Sequence, residues 1–318
     1  MIKIKNLILN NEVDSYFLLA NFHVALTKNN NKYITLLLKD DSGEIEAKIW
    51  EVNQKIVDSL KKGEIYHVKG LVILHRNNYQ IKIKKIILGN QNDFNIDQFL
   101  ELAPINAQKC YQEIVDCVLK FKDPVFKKIL IYFLQKYQEQ FSTWPAATLF
   151  HHNVKGGLLW HTYNMFKHAQ SISKIYDRFA INYELLISGV ILHDFGKILE
   201  IENNNIYSYS LKGKLLGHIS IMVALLEKSA HILNIADNES FLLLQHMILA
   251  SHGKKEFGSP IEPHLLEAEI LSHIDNLDAR IFAIDKELQK TKIKTTSSNI
   301  IPVESRWFFN HYQNKKNS

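Results

Sequence analysis

The chain has 318 residues, 46% of them hydrophobic and 22% charged, with a formal net charge of +5. That is enough apolar material to bury a full core, and a length that suits two domains. Its apolar runs fall short of the roughly 18 residues a membrane span needs, and the opening MIKIKNLILNNEVD turns polar too early for a signal peptide, so no membrane is expected and the chain is read as cytoplasmic. Cys110 and Cys117 lie on one face of an expected helix, too far apart to bridge, and are read as reduced core residues.

Residues 15–26, 32–40, 44–50, 65–74 and 79–88 alternate with period two and are rich in β-branched side chains, which predicts five strands. A short helical stretch, 52–63, falls between the third and fourth. The segments are too short for βαβ units, so residues 1–90 are expected to form a small Greek-key barrel of the OB type, with a generic antiparallel barrel as the alternative. This segment holds 14 Lys plus Arg against 9 Asp plus Glu, the whole formal excess of the protein. With Phe22, Tyr33, Trp50, Tyr66 and Tyr79 for stacking and Lys82 and Lys84 for phosphates, it has the ingredients of a single-strand nucleic-acid binder. Core packing is the competing use of such aromatics.

Residues 91–105 are polar and read as a linker. From 106 to 290 the period becomes 3.6, with helices expected over 106–121, 123–141, 157–177, 184–194, 214–233, 238–252 and 263–290, and a possible short one at 96–102. The expected class is therefore α+β and multidomain, a five-stranded barrel followed by an all-α domain. Residues 291–318 are irregular and polar apart from RWFF, and are read as a strap or a loose end.

Chemistry is sought in the second half, which carries twelve of the fifteen histidines. The stretch GVILHDFGKILE ends an apolar run on His193 and Asp194, where a buried carboxylate costs several kcal/mol unless something pairs with it. His161, His218 and Asp275 fall on inward stripes of their own helices, with Leu158 and Met165, with Ile221 and Leu225, and with Leu271 and Ala279 respectively. Buried imidazoles and carboxylates from separate helices of one bundle are what a divalent metal site requires. His168 and His231 are read instead as hydrogen-bonded core residues. His151 and His152, before the Gly156–Gly157 turn, are either a substrate contact or merely exposed. Residues 252–260 look like a loop over the pocket, with Lys254 and Lys255 toward phosphates or solvent.

GGLLWHT, GVILHDFGK, LLGHI, HMILASHGKKEFGSP and EAEILSHIDNLDA, in that order behind an OB-type barrel, resemble the HD-superfamily metal-dependent phosphohydrolases, and within them the YhaM-type 3′-to-5′ exoribonucleases. The resemblance covers all but the C-terminal tail and implies an HD-type helical domain. It implies His161, His193, Asp194 and Asp275 as ligands of a first metal, His218 and His252 as ligands of a second, and His246 as a further one. It also implies Lys197 facing the phosphate, with Asp194, Lys197 and His218 as the catalytic set. The chain departs from the family pattern at Trp160, where an acidic residue is usual, and at Ser251, where a histidine is usual. One or two ions per chain therefore stay open, manganese being favoured over cobalt, iron or zinc. The implied activity is hydrolysis of single-stranded RNA, with single-stranded DNA and homo-oligomer formation also open. The alternatives are a phosphohydrolase of small nucleotides that uses its barrel for assembly, and a binding protein with a vestigial site.

Overall fold

The structure is a computed structural model that describes residues 1–311 except 28, 51, 76–77, 148–152 and 204. It divides into two compact units, Met1–Leu102 with Asn203–Ser208, and Ala103–Glu202 with Tyr209–Ser318.

The first unit is a closed barrel of β1 (Glu12–Leu26), β2 (Lys32–Asp40), β3 (Gly43–Ile49), β4 (Ile65–His75) and β5 (Asn78–Leu88), in the order β1-β2-β3-β5-β4. All neighbours are antiparallel except β3 and β5. The period-two pattern sends Ile34, Leu36, Leu38, Ala47, Val68, Val72 and Ile81 to the interior, where none is exposed. A register shift between Leu19 and Asn21 bends β1, so that one strand pairs with β4 along its first half and with β2 along its second. In β4, Gly70 sits at a second register shift, where a Cβ would run into the Lys82 carbonyl. The helix α1 (Gln54–Ser59), capped by Asn53, lies between β3 and β4 as the sequence predicts.

Two readings of this half are corrected. Tyr66 is core, 2% exposed, its hydroxyl donating to the Ser59 carbonyl at 3.0 Å and accepting from the Lys61 N–H at 2.8 Å. Residues 91–102, expected as linker with a short helix at 96–102, form two short 3₁₀ turns that pack on the barrel, with Phe99 buried beside Leu18 and Ile65, because Phe94, Ile96 and Phe99 supply apolar anchors that the polar composition obscures.

The second unit contains α2 (Ala107–Leu119), α3 (Pro124–Lys136), α4 (Gln138–Thr143), α5 (Gly157–Ile175), α6 (Tyr183–Leu192), α7 (Lys197–Glu200), α8 (Leu211–Leu233), α9 (Glu239–Leu249) and α10 (Leu266–Lys290). Asn106, Asp123, Asn182, Ser210 and Asn238 cap α2, α3, α6, α8 and α9 through side-chain oxygens. Every residue of α6 from Leu185 to Leu192 is buried, so this helix is the axis around which the others pack. Between α7 and α8, β6 (Ile201–Asn203) and β7 (Tyr207–Tyr209) form a two-stranded ladder. The single helix expected over 123–141 breaks at Tyr137, and α8 breaks at Gly217, whose φ of 69° and ψ of 157° are not helical. By length and composition α8 is apolar enough to cross a membrane, contrary to the sequence expectation, but that break divides it.

The tail is a strap as far as residue 311. It folds back through bridges between Thr296 and Phe309 and between Ile300 and Arg306, and buries Val303. Arg280 of α10 holds Glu304 with two hydrogen bonds. Asn310 is buried and donates to the Leu288 and Thr291 carbonyls at 3.1 and 2.7 Å, satisfying the end of α10. Asn310→Ala is expected to cost about 1–3 kcal/mol, because it removes the side-chain donor to the Thr291 carbonyl and leaves the Leu288 carbonyl with the Thr291 N–H alone. The check is a fall in Tm with faster tryptic cleavage at Lys292 and Lys294; an unchanged Tm would mean that the strap is not held there.

Candidate active site

The end of α6 explains the apolar run into His193 and Asp194. α6 is surrounded by core, so its last turn carries both side chains into the middle of the helical unit, 1% and 2% exposed. Phe195 then anchors the turn, stacked on Phe141 at 4.8 Å and edge-on to Phe133 at 5.7 Å. At Gly196 the chain passes so near α8 that a Cβ would collide with the His218 carbonyl, and at Gly213 a Cβ would collide with the Glu200 carbonyl. These two close approaches hold α7 and the start of α8 against each other. The break at Gly217 makes His218 the first residue of the resumed helix.

Donor atoms from six residues converge. His161 of α5 places Nε2 3.2 Å from Asp275 Oδ1 and 3.7 Å from Asp194 Oδ2. His193 Nε2 lies 3.5 Å from Asp194 Oδ2 and 3.9 Å from Asp275 Oδ1. The other oxygen of Asp194, Oδ1, lies 3.5 Å from His218 Nε2. Two donor sets result, His161–His193–Asp194 and Asp194–His218–His252, each within 4.8 Å and both including Asp194.

The imidazoles are oriented from behind. His193 Nδ1 lies 2.8 Å from the Val190 carbonyl, which can only accept, so Nδ1 carries the proton and Nε2 offers a lone pair inward. His252 Nδ1 donates to the Phe257 carbonyl at 3.0 Å in the same way. His161 Nδ1 meets Asp278 Oδ2 at 2.7 Å, while Asn164 donates to the other Asp278 oxygen at 3.0 Å. His218 Nδ1 lies 3.3 Å from Glu200 Oε1, which also accepts the His218 backbone N–H at 3.0 Å.

Asp278 and Glu200 were not anticipated. Asp278 had a signal, standing one turn after Asp275 on the same face of α10. Glu200 had none, since α7 is a single turn with no readable period.

Charge is concentrated here. Burial opposes ionisation of Asp194, but Lys197 Nζ at 2.6 Å and the surrounding imidazoles hold its carboxyl well below the usual range. Burial lowers the basicity of His193. It works against His161 too, but Asp275 and Asp278 outweigh it and lift that imidazole to about 10. His193 Nε2, Asp194 Oδ1 and His218 Nε2 are buried without a hydrogen-bond partner among the described residues. Orphaned nitrogen and carboxylate donors that face one another are unfavourable unless a cation lies between them, so the residues present fit a divalent metal.

Other expected site residues are placed differently. His246 is not brought into either donor set; its Nε2 accepts the His264 backbone N–H at 2.9 Å, on an apolar groove with Leu242 and Leu265. His231 is exposed and pairs with Glu227 at 3.0 Å, and His168 is half-buried with Nδ1 unbonded, so neither is a hydrogen-bonded core residue. The segment 252–260 turns back on His252, whose N–H donates to buried Ser259, while Lys254 is exposed beside Glu256. His151 and His152 lie outside the described residues. On the barrel, Tyr33 and Trp50 stack at 5.3 Å with Lys48 Nζ about 5.5 Å from both rings. Tyr79 and Lys82 are exposed, Lys84 is tied to Glu12 at 2.7 Å, and Phe22 packs half-buried against the barrel core.

Comparison with known proteins agrees with both halves. Residues 21–88 match the OB-fold nucleic acid binding domain and residues 158–280 match the HD domain. The 3′-5′ exoribonuclease YhaM of Geobacillus sp. (strain WCH70) is 38% identical over 94% of this chain and 91% of that protein. This chain belongs to the YhaM family. The YhaM of Bacillus subtilis (strain 168) is likewise 38% identical, over 94% of this chain and 94% of that protein. A replication protein A OB-fold domain from Methanococcus maripaludis, 25% identical, covers 27% of this chain and 92% of that domain with a TM-score of 0.23.

Within this YhaM family member, Asp278 is placed to orient His161 toward a metal held at its Nε2. Asp278→Asn is expected to weaken metal binding about 10- to 100-fold while leaving every donor atom in place; titration calorimetry checks it, and wild-type affinity would assign Asp278 to structure alone. A second expectation concerns pH. Because His161 is raised, the metal-free protein keeps a proton there until pH nears about 10, and the stability this confers is complete below the ordinary histidine pKa and lost as pH rises from there through about 10. A cation taking Nε2 displaces the proton, so metal uptake at neutral pH should release protons and tighten as pH rises. Calorimetry in two buffers of different ionisation enthalpy reads the number released; none released would mean that His161 does not bind the ion.

Proposed function

We propose that this chain is a metal-dependent 3′-to-5′ exoribonuclease that hydrolyses phosphodiester bonds of single-stranded RNA. The observation that carries the reading is one buried carboxylate, Asp194, shared by two donor sets in a unit that follows a nucleic-acid-binding barrel. His161, His193, Asp194 and Asp275 would hold one divalent ion, and Asp194, His218 and His252 a second. When bound, such ions supply an activated water and positive charge for the non-bridging phosphate oxygens. The chain's own residues do the rest. Lys197 keeps Asp194 ionised and adds a buried cation to the wall of the site. Asp278 and Glu200, with the Val190 and Phe257 carbonyls, fix which nitrogen each imidazole presents.

Tyr33, Trp50 and Lys48 form a platform of flat rings beside a cation, suited to stacking bases without regard to sequence. Stacking is indifferent to the 2′-hydroxyl, so single-stranded DNA belongs to the same proposal, as do manganese for the ions, two ions per chain, a cytoplasmic location and assembly into homo-oligomers. The small-nucleotide reading is not favoured, since the relatives named exoribonucleases match through the barrel as well as the helical unit.

The test compares a dinucleotide with a long oligoribonucleotide in manganese buffer. Asp194→Ala is expected to abolish cleavage of both with circular dichroism unchanged. Trp50→Ala should raise KM for the long substrate by about 5- to 100-fold, the loss of roughly 1–3 kcal/mol of stacking, with kcat nearly unaltered. Full activity in Asp194→Ala would place the chemistry elsewhere, and equal losses on both substrates in Trp50→Ala would reduce the barrel to a structural part.

A further inference from the structure

The outward face of the barrel carries more than the stacking platform. Along β3 the outward positions are Glu46 and Lys48, with Trp50 next past its end, flanked by Tyr33 and Thr35 on β2 and by Gln80 and Lys82 on β5; Glu46 is opposite Gln80 and Lys48 opposite Lys82. Beside the Tyr33–Trp50 stack this row opens into a cleft of about 260 Å³ lined by Glu46, Lys48, His75, Asn78, Tyr79 and Gln80. Its floor is Gln80, only 3% exposed, whose amide donates to Glu46 Oε1. Tyr79, 46% exposed, supplies a free ring at its edge.

Glu46 does not belong in a phosphate groove, because a carboxylate there repels the backbone that Lys48 and Lys82 attract. A carboxylate facing a strand of RNA is matched by a base that presents donors. Uracil offers one ring N–H between two carbonyls, and adenine and cytosine offer a single exocyclic amine each. Guanine alone offers two parallel donors, the ring N1–H and the N2 amine, which fit a carboxylate as a pair. The Gln80 amide donates to Glu46 Oε1 and Lys48 Nζ lies 3.8 Å from that same oxygen, so one side of the carboxylate is held and its direction fixed, while Asn78 and His75 line the cleft as further polar partners.

We propose that this cleft is a base-reading subsite for guanine, with Glu46 accepting from its Watson–Crick edge and Tyr79 stacking on its face. The proposal rests on the reading of the barrel as the RNA-holding part, and adds to it a preference that the Tyr33–Trp50 stack cannot have, since every base has a face. Glu46 on β3 and Trp50 just past its end are four residues apart, about 13 Å at ~3.3 Å per residue, so the two contacts take different nucleotides of one strand.

The experiment measures binding of the full chain, with divalent metal chelated to prevent cleavage, to fluorescent dodecamers of uridine, of uridine with guanosine at every third position, and of uridine with adenosine at those positions. The guanosine oligomer is expected to bind about tenfold or more tightly than the other two, the worth of a paired carboxylate contact. Glu46→Gln should bring the three to parity, and Trp50→Ala should weaken all three together while preserving the guanosine advantage. Equal binding of the three by the wild type, or a guanosine advantage that survives in Glu46→Gln, overturns the subsite while leaving the platform intact. Trp50→Ala that binds all three as the wild type does overturns the platform reading itself, and the subsite with it.

Discussion

Asp194 is buried to 2% exposure and still ionised, with one oxygen toward Lys197, His161 and His193 and the other toward His218. A carboxylate in that setting costs several kcal/mol unless positive charge is returned to it, and removing any one partner leaves the remainder uncompensated. The arrangement is therefore all or nothing. It explains why Lys197, one turn away on the same chain, is buried with it, and why His193 Nε2, Asp194 Oδ1 and His218 Nε2, which have no hydrogen-bond partner among the described residues, fit a cation placed between them.

Holding four helices to that carboxylate demands backbone positions accurate to a fraction of an ångström, and the core supplies them. α6 is buried on every side and cannot rotate without exposing Leu or Ile, so His193 and Asp194 emerge in one direction only. The collisions that a Cβ would make at Gly196 and Gly213 show how closely α7 and α8 are drawn together. The break at Gly217 leaves His218 as the first residue of the resumed helix, on the same inward stripe as Ile221 and Leu225. Each ring is finally set by a partner on its far side: a carbonyl for His193 and His252, a carboxylate for His161 and His218.

The barrel solves a different problem with the same economy of alternation. Its inward positions close a small apolar core, and because the strand period is two, every intervening residue is delivered to the outer face. Along β3 and one residue past its end that face reads Glu46, Lys48, Trp50, an acid, a cation and a ring at regular spacing. Division of labour follows from this difference: the helical unit is built around desolvated charge, the barrel around accessible stacking.

Much of this was legible in the residues. Period two and period 3.6 distinguish barrel from bundle, caps such as Asp123 with Pro124 mark helix starts, and His193–Asp194 at the end of an apolar run, with His161 and Asp275 on inward stripes, announces a buried polar site. These are local signals, because each depends on neighbours within one turn or one strand. What needed tertiary structure depends on distant neighbours. Tyr66 looked like Tyr33 in sequence, and only strand register makes one core and the other platform. His246 looked like His252, yet the His264 backbone claims its Nε2 while a loop returning through Phe257 orients the other. Glu200 lies on a helix too short to have a period and becomes visible only where α8 is packed beside it. Periodicity tells which way a side chain faces; it does not tell what faces it, since that is decided by the packing of segments separated by tens of residues.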